Sequence, residues 1–152
     1  MSKALVFGIV GGLCVAMLSA VPPAHAQLLI SAEEAALPAA GGGLGGFRGV
    51  TRGPRVQSSS PATEGTSVTS PVDLKVKFES FGGATVDTAS VKVTYLKTPA
   101  VDLTPRVKAF IKTTGIEMPT AELPPGEHPI RVEFKDSEGR TAQGNFTLKV
   151  SK

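Results

Sequence analysis

The chain has 152 residues, 16 basic against 13 acidic side chains, a formal net charge of +3, a single cysteine and no tryptophan. So small an excess of positive charge does not by itself argue for nucleic acid, and one cysteine excludes an internal disulfide framework. A core of about one domain must therefore hold itself together by packing alone.

Met1 to Ala26 reads as a secretory signal peptide. Lys3 supplies the positive start, Ala4 to Ala20 is apolar or small apart from Ser19, and Ala24-His25-Ala26 offers small residues for cleavage before Gln27. A membrane anchor would need roughly 20 apolar residues and a basic flank. Here the run ends in Val21-Pro22-Pro23, and the next lysine or arginine is Arg48. A lipoprotein is not expected, since Gly11-Gly12-Leu13-Cys14 reverses the usual order of a leucine followed by a small residue directly before the cysteine. Cleavage removes Lys3 and Cys14, leaving 15 basic against 13 acidic residues, a net charge of +2. The expected product is exported, periplasmic or extracellular, and has no stable membrane insertion after cleavage.

Residues 27–54 are expected to form a short helix and a flexible Gly/Arg-rich tether outside the core. Ser31-Ala32-Glu33-Glu34-Ala35-Ala36-Leu37 carries a capping box, Ser31 as N-cap and Glu34 three residues later, before Pro38 ends the turns. A helix that short is marginal unless it docks. Gly41 to Gly49 then sets the reach of what precedes it. Phe47, Arg48, Arg52 and Arg55 are the one local concentration of a single charge with an aromatic ring, and are the candidate interaction residues. Three arginines and one ring fall far short of a nucleic-acid tract, so the stretch reads first as a solvated linker and second as a contact for an anionic envelope surface; the expected partner of the module is an envelope protein or glycan.

From Val56 onward the pattern becomes short period-two segments punctuated by proline and glycine, the signature of an all-β sandwich or barrel. Val72, Leu74, Val76 and Phe78 share one face of a strand whose other face is charged. Val91, Val93 and Tyr95 repeat the pattern, and Phe81-Gly82-Gly83-Ala84 provides a turn that predicts pairing between the two. Thr104 as cap with Pro105 at the first helical position predicts a short helix, and Gly115-Ile116-Glu117-Met118 a strand with Ile116 and Met118 inward. Ile130, Val132 and Phe134 alternate on one strand, and Ala142, Gly144, Phe146, Leu148 and Val150 on the next. Asp136-Ser137-Glu138-Gly139-Arg140 closes them into a hairpin. The sum is six or seven strands and one short helix over residues 55–152.

Ser60-Pro61-Ala62-Thr63-Glu64-Gly65 leading into Leu74 to Phe78, with Leu123-Pro124-Pro125-Gly126-Glu127-His128 and the turn from Asp136 to Arg140, resembles bacterial immunoglobulin-like domains from about Arg55 to Val150. The resemblance implies an immunoglobulin-like β-sandwich and says little about activity. Periplasmic copper-resistance carriers share the Ser-x-Pro-Ala-x-x-Gly motif but begin their mature chain with a copper-binding histidine. In this sequence His25 precedes the cleavage site, leaving His128 as the one imidazole and Met118 as the one methionine of the mature chain. Copper sites combine several imidazole or sulfur ligands. His128, beside a proline turn, is expected to be solvated. No metal, cofactor or catalytic residue is assigned. The usual nucleophile and base pair would have to recruit His128, with no flanking serine motif to support it, and Glu117, Glu122, Glu127, Glu133, Asp136 and Glu138 mostly fall at solvent-facing or turn positions. The expected function is a non-catalytic exported module that mediates interaction at the envelope or outside the cell. The alternative is a structural accessory domain of an envelope assembly; a periplasmic copper carrier ranks below both.

Overall fold

The structure is a computed structural model and describes residues 26–41, 53–60 and 66–152. The leader up to His25, the candidate residues Phe47, Arg48 and Arg52, and the motif Pro61 to Gly65 lie outside the described residues. In chain order the elements are β1 Gln27–Leu28, α1 Ala32–Ala35, β2 Arg55–Ser60, β3 Ser67–Thr69, β4 Val72–Glu79, β5 Val86–Tyr95 and β6 Val101–Asp102. There follow α2 Thr104–Val107, a 3-10 turn at Lys108–Phe110, β7 Ile111–Lys112, β8 Gly115–Glu122, β9 Gly126–Asp136 and β10 Thr141–Ser151.

The strands form two sheets of five. One runs β1-β8-β4-β2 with β7 also on β8, and the other runs β3-β10-β9-β5-β6. The alternation read from the sequence holds residue by residue in β4, where Val72, Leu74, Val76 and Phe78 are buried and the intervening residues exposed. In β5, Val91, Val93 and Tyr95 are buried, and in β9, Ile130, Val132 and Phe134. These inward faces share one core. The Phe78 and Phe134 rings meet across it, from opposite sheets, with centroids 4.6 Å apart.

The β9–β10 hairpin forms as expected, in an unbroken antiparallel register from Thr141↔Lys135 to Val150↔Gly126. The expected pairing of β4 with β5 does not form, because the two strands belong to different sheets. Alternation specifies which face of a strand is buried and not which neighbour it takes. Gly82 and Gly83, at φ +74° and +78°, turn the chain from one sheet into the other.

More strands are present than the six or seven expected: ten among the described residues, because β1, β6 and β7 are two-residue pieces and β3 has three. Pro105 does lie in the first turn of α2, but Leu103 and not Thr104 is its N-cap, without a side-chain bond. Thr104 instead accepts the Val93 N–H on Oγ1 at 3.0 Å, which fastens the helix to β5.

The largest correction concerns the N-terminal arm, residues 27–40. Read as part of a tether, it is built into the fold: Leu29 and Ile30 are fully buried in the core cluster. β1 runs parallel to β8, with Gln27 opposite Ala121 and Leu28 opposite Glu122, and Ala39 bridges to Lys97. The physical reason is the apolar pair Leu29-Ile30, whose burial outweighs the marginal stability of the short helix after it.

Candidate functional site

Where the arm crosses the sandwich, it walls an open cavity of about 490 Å³ between α1, the end of β5 and the start of β9. Ala35, Ala39, Leu96, Lys97 and Pro125 line it, with His128 at its floor.

The arm is fixed there by its capping box and by an arginine. The Ser31 hydroxyl accepts the Glu34 N–H at 3.2 Å, and the Glu34 carboxylate accepts the Ser31 N–H at 2.9 Å. Arg106, carried on α2, grips both oxygens of the same carboxylate at 2.7 Å each and donates to the Leu29 carbonyl at 2.7 Å. The Arg106 guanidinium is the largest influence on that carboxyl; burial opposes it, Ser31 assists it, and the Glu34 pKa is held at about 2. Lys97 donates to the Ala35 carbonyl at 3.1 Å and lies 5.6 Å over the Tyr95 ring.

Beneath this wall is a buried pair. His128 is only 1% exposed and is part of β9, so the expectation of a solvated loop histidine is overturned. Its Nε2 lies 2.7 Å from the Pro124 carbonyl and its Nδ1 3.0 Å from the Tyr95 hydroxyl. A carbonyl can only accept, so Nε2 carries the proton and Nδ1 accepts from Tyr95. Both ring nitrogens of the neutral imidazole are thereby satisfied. Burial lowers the His128 pKa against the Pro124 carbonyl, which favours the cation, and Lys97 lowers it further. Burial also pushes the Tyr95 hydroxyl up to about 12, with Glu34 adding to the effect.

At the other end of β9 a second buried polar centre anchors the hairpin. Asp136, expected at a solvent-facing or turn position, ends β9 and is 3% exposed. Its Oδ1 accepts the backbone N–H groups of Glu138 and Arg140 at 3.0 and 2.9 Å, and its Oδ2 accepts Arg140 Nε at 2.7 Å. Burial alone would raise this carboxyl; the Arg140 backbone and guanidinium and the Glu138 N–H outweigh it and hold the pKa below its usual range. Arg140 also donates to the Phe81 carbonyl at 2.8 Å, joining the hairpin to the turn between sheets.

Of the candidate interaction residues, Arg55 is described. It opens β2 with its guanidinium 5.5 Å over the Phe81 ring, and Phe81 is 37% exposed. β2 pairs with β4 on one side and is the edge of its sheet.

Among the described residues, no three His, Cys, Asp or Glu side chains gather in a way that could hold a metal ion. No helix among them is long and apolar enough to cross a membrane.

Sequence reasoning missed Lys97 and Arg106, whose partners lie more than sixty residues away. It could have placed His128, which is in phase with Ile130, Val132 and Phe134 if the strand starts before Pro129. Comparison of the chain with protein-family models, with curated proteins and with solved structures gave no match.

Proposed function

We propose that the chain is an exported, non-catalytic immunoglobulin-like module that binds an envelope or extracellular protein by strand addition along β2. The observation that carries this reading is the chemistry of that edge. Sheet edges that must not pair are blunted by charges, prolines, bulges or extreme shortness. β1, β6 and β7 are two residues long and β3 three, and the part of β5 beyond β6 carries Asp87, Lys92 and a break in register. β2 has six residues, Arg55-Val56-Gln57-Ser58-Ser59-Ser60, with no charge after the first and no proline, and its one shift in register against β4 lies at its far end, between Ser58 and Ser60. An added strand would bond through backbone and needs no special side chain.

Arg55 stacked on the part-exposed Phe81 ring supplies a cationic and aromatic end to the same edge. Export rests on the leader pattern of Met1 to Ala26. The hydrogen-bonded state of both His128 nitrogens supports a binding role over base catalysis at that residue.

The test uses the whole chain from Gln27, since removing the arm would also remove Leu29 and Ile30 from the core. Gln57→Lys/Ser59→Lys places two charges on exposed edge positions. Crosslinking in the envelope is expected to recover a partner with wild type and at least tenfold less with the variant, at unchanged circular dichroism. Equal recovery with both proteins would remove β2 as the contact.

A further inference from the structure

We propose that the sandwich accepts the arm of a second copy in place of its own, so that two chains join by exchanging residues 27–40. The hydrogen bonds and ion pairs that seat the arm go to residues 96–122. The Leu29 and Ile30 N–H groups donate to the Glu122 carbonyl, and Arg106 takes Glu34 and the Leu29 carbonyl. Lys97 takes the Ala35 carbonyl, the Thr98 N–H donates to Pro38, and the Ala40 N–H donates to Leu96. A surface so far along the chain is met in the same way by an arm from either copy, so exchange conserves each of these contacts.

Reach permits it. The arm ends beside Leu96, and β2 begins at the far edge of the first sheet, β1 and β2 being its two ends. Strand and sheet spacings put that separation on the order of 20 Å. The intervening residues 41–54 number 14, seven of them glycine, and 14 residues extend to about 45 Å. The connection is longer than the closed monomer requires.

The seat also specifies its occupant. It takes two adjacent aliphatic side chains, fully buried as Leu29 and Ile30 are, followed four residues after the second by a carboxylate for Arg106. The segment of known sequence that carries this pattern is the arm itself, which makes a second copy the fitting partner. Exchange involves β8 and residues 96–106 and not β2, so the two proposals fail separately.

Two single variants of the chain from Gln27, Leu28→Cys and Glu122→Cys, test the exchange. The two positions face each other in the β1–β8 register, Leu28 is 55% exposed, Glu122 is exposed, and the chain beyond the leader has no other thiol. The variants carry different tags and are mixed at high concentration, both natively and after refolding together from urea. Expected is a disulfide between the two introduced thiols, mapped by mass spectrometry, at least tenfold in excess of either homodimeric disulfide. A mixed disulfide no more abundant than the homodimers, in both conditions, would overturn the proposal. Leu28→Cys/Glu122→Cys in one chain is expected to close within the chain in dilute solution; failure to close overturns the seating on which exchange depends.

Discussion

His128 and Tyr95 illustrate how one hydrogen-bonded pair sets a local protonation state. With Nε2–H directed at the Pro124 carbonyl and Nδ1 accepting from Tyr95, the neutral ring is satisfied, and burial disfavours the cation. A group whose pKa is lower folded than unfolded contributes stability that is present above the unfolded pKa and is lost as pH falls towards the folded pKa. For His128 that loss begins near 6.5. Urea unfolding is therefore expected to show stability declining from pH 7 to pH 5, and the decline is expected to shrink in His128→Gln. Tyr95→Phe leaves Nδ1 buried without a donor and is expected to lower stability by about 1–2 kcal/mol at pH 7. The inward position of Tyr95 was legible from its phase with Val91 and Val93. The burial of His128 is not legible from the alternation of Ile130, Val132 and Phe134 alone, since it requires a strand that begins before Pro129; β9 begins at Gly126.

At the scale of elements, the arm shows how a short helix is made to persist. α1 has four residues, below the length at which a helix sustains itself in water, and its stability comes from the capping box and the Arg106 clamp. Glu34→Ala removes both and is expected to cost about 2 kcal/mol in urea unfolding at neutral pH. The Glu34 pKa falls on folding from 4.5 to about 2, so its contribution is present above pH 4.5 and is lost as the pH falls through that interval. A thermal melt series across that window is expected to separate wild type from Glu34→Ala at its upper end and to bring them together at its lower end. A glycine governs the neighbouring hairpin. Gly115 has φ +152°, and a Cβ there would stand 2.0 Å from the Val76 carbonyl oxygen, with backbone on both sides of the clash. Gly115→Ala is expected to lower stability by about 3 kcal/mol or more, again by urea unfolding, through displacement of β8 from β4. The capping box could be read from Ser31 and Glu34 alone. The docking of the helix could not, because Arg106 lies 72 residues beyond Glu34 and nothing local marks the partnership.

For the molecule as a whole, period-two alternation carried the β class, the inward faces of β4, β5 and β9, and the last hairpin. It did not carry the distribution of strands between two sheets, since Val72 to Phe78 and Val91 to Tyr95 present the same buried pattern whether they pair or face each other across a core. The candidate interaction surface was legible only at Arg55, whose position at the head of an edge strand depends on sheet order. With both His128 nitrogens engaged inside the protein, addition of copper or of a chelator is expected to leave the melting temperature of the chain from Gln27 unchanged. A rise of several degrees with stoichiometric copper would place a metal site on this module after all.

Tyr95 has a further value to the experimenter. It is the one tyrosine in a chain without tryptophan. Near-ultraviolet fluorescence is thus dominated by a single fully buried ring, hydrogen-bonded to His128 beneath the arm. With its hydroxyl pushed up to about 12, any tyrosinate band seen at milder alkalinity reports a core that has already opened. The protein carries its own optical gauge at the junction of arm and sandwich, and no dye need be attached to follow it.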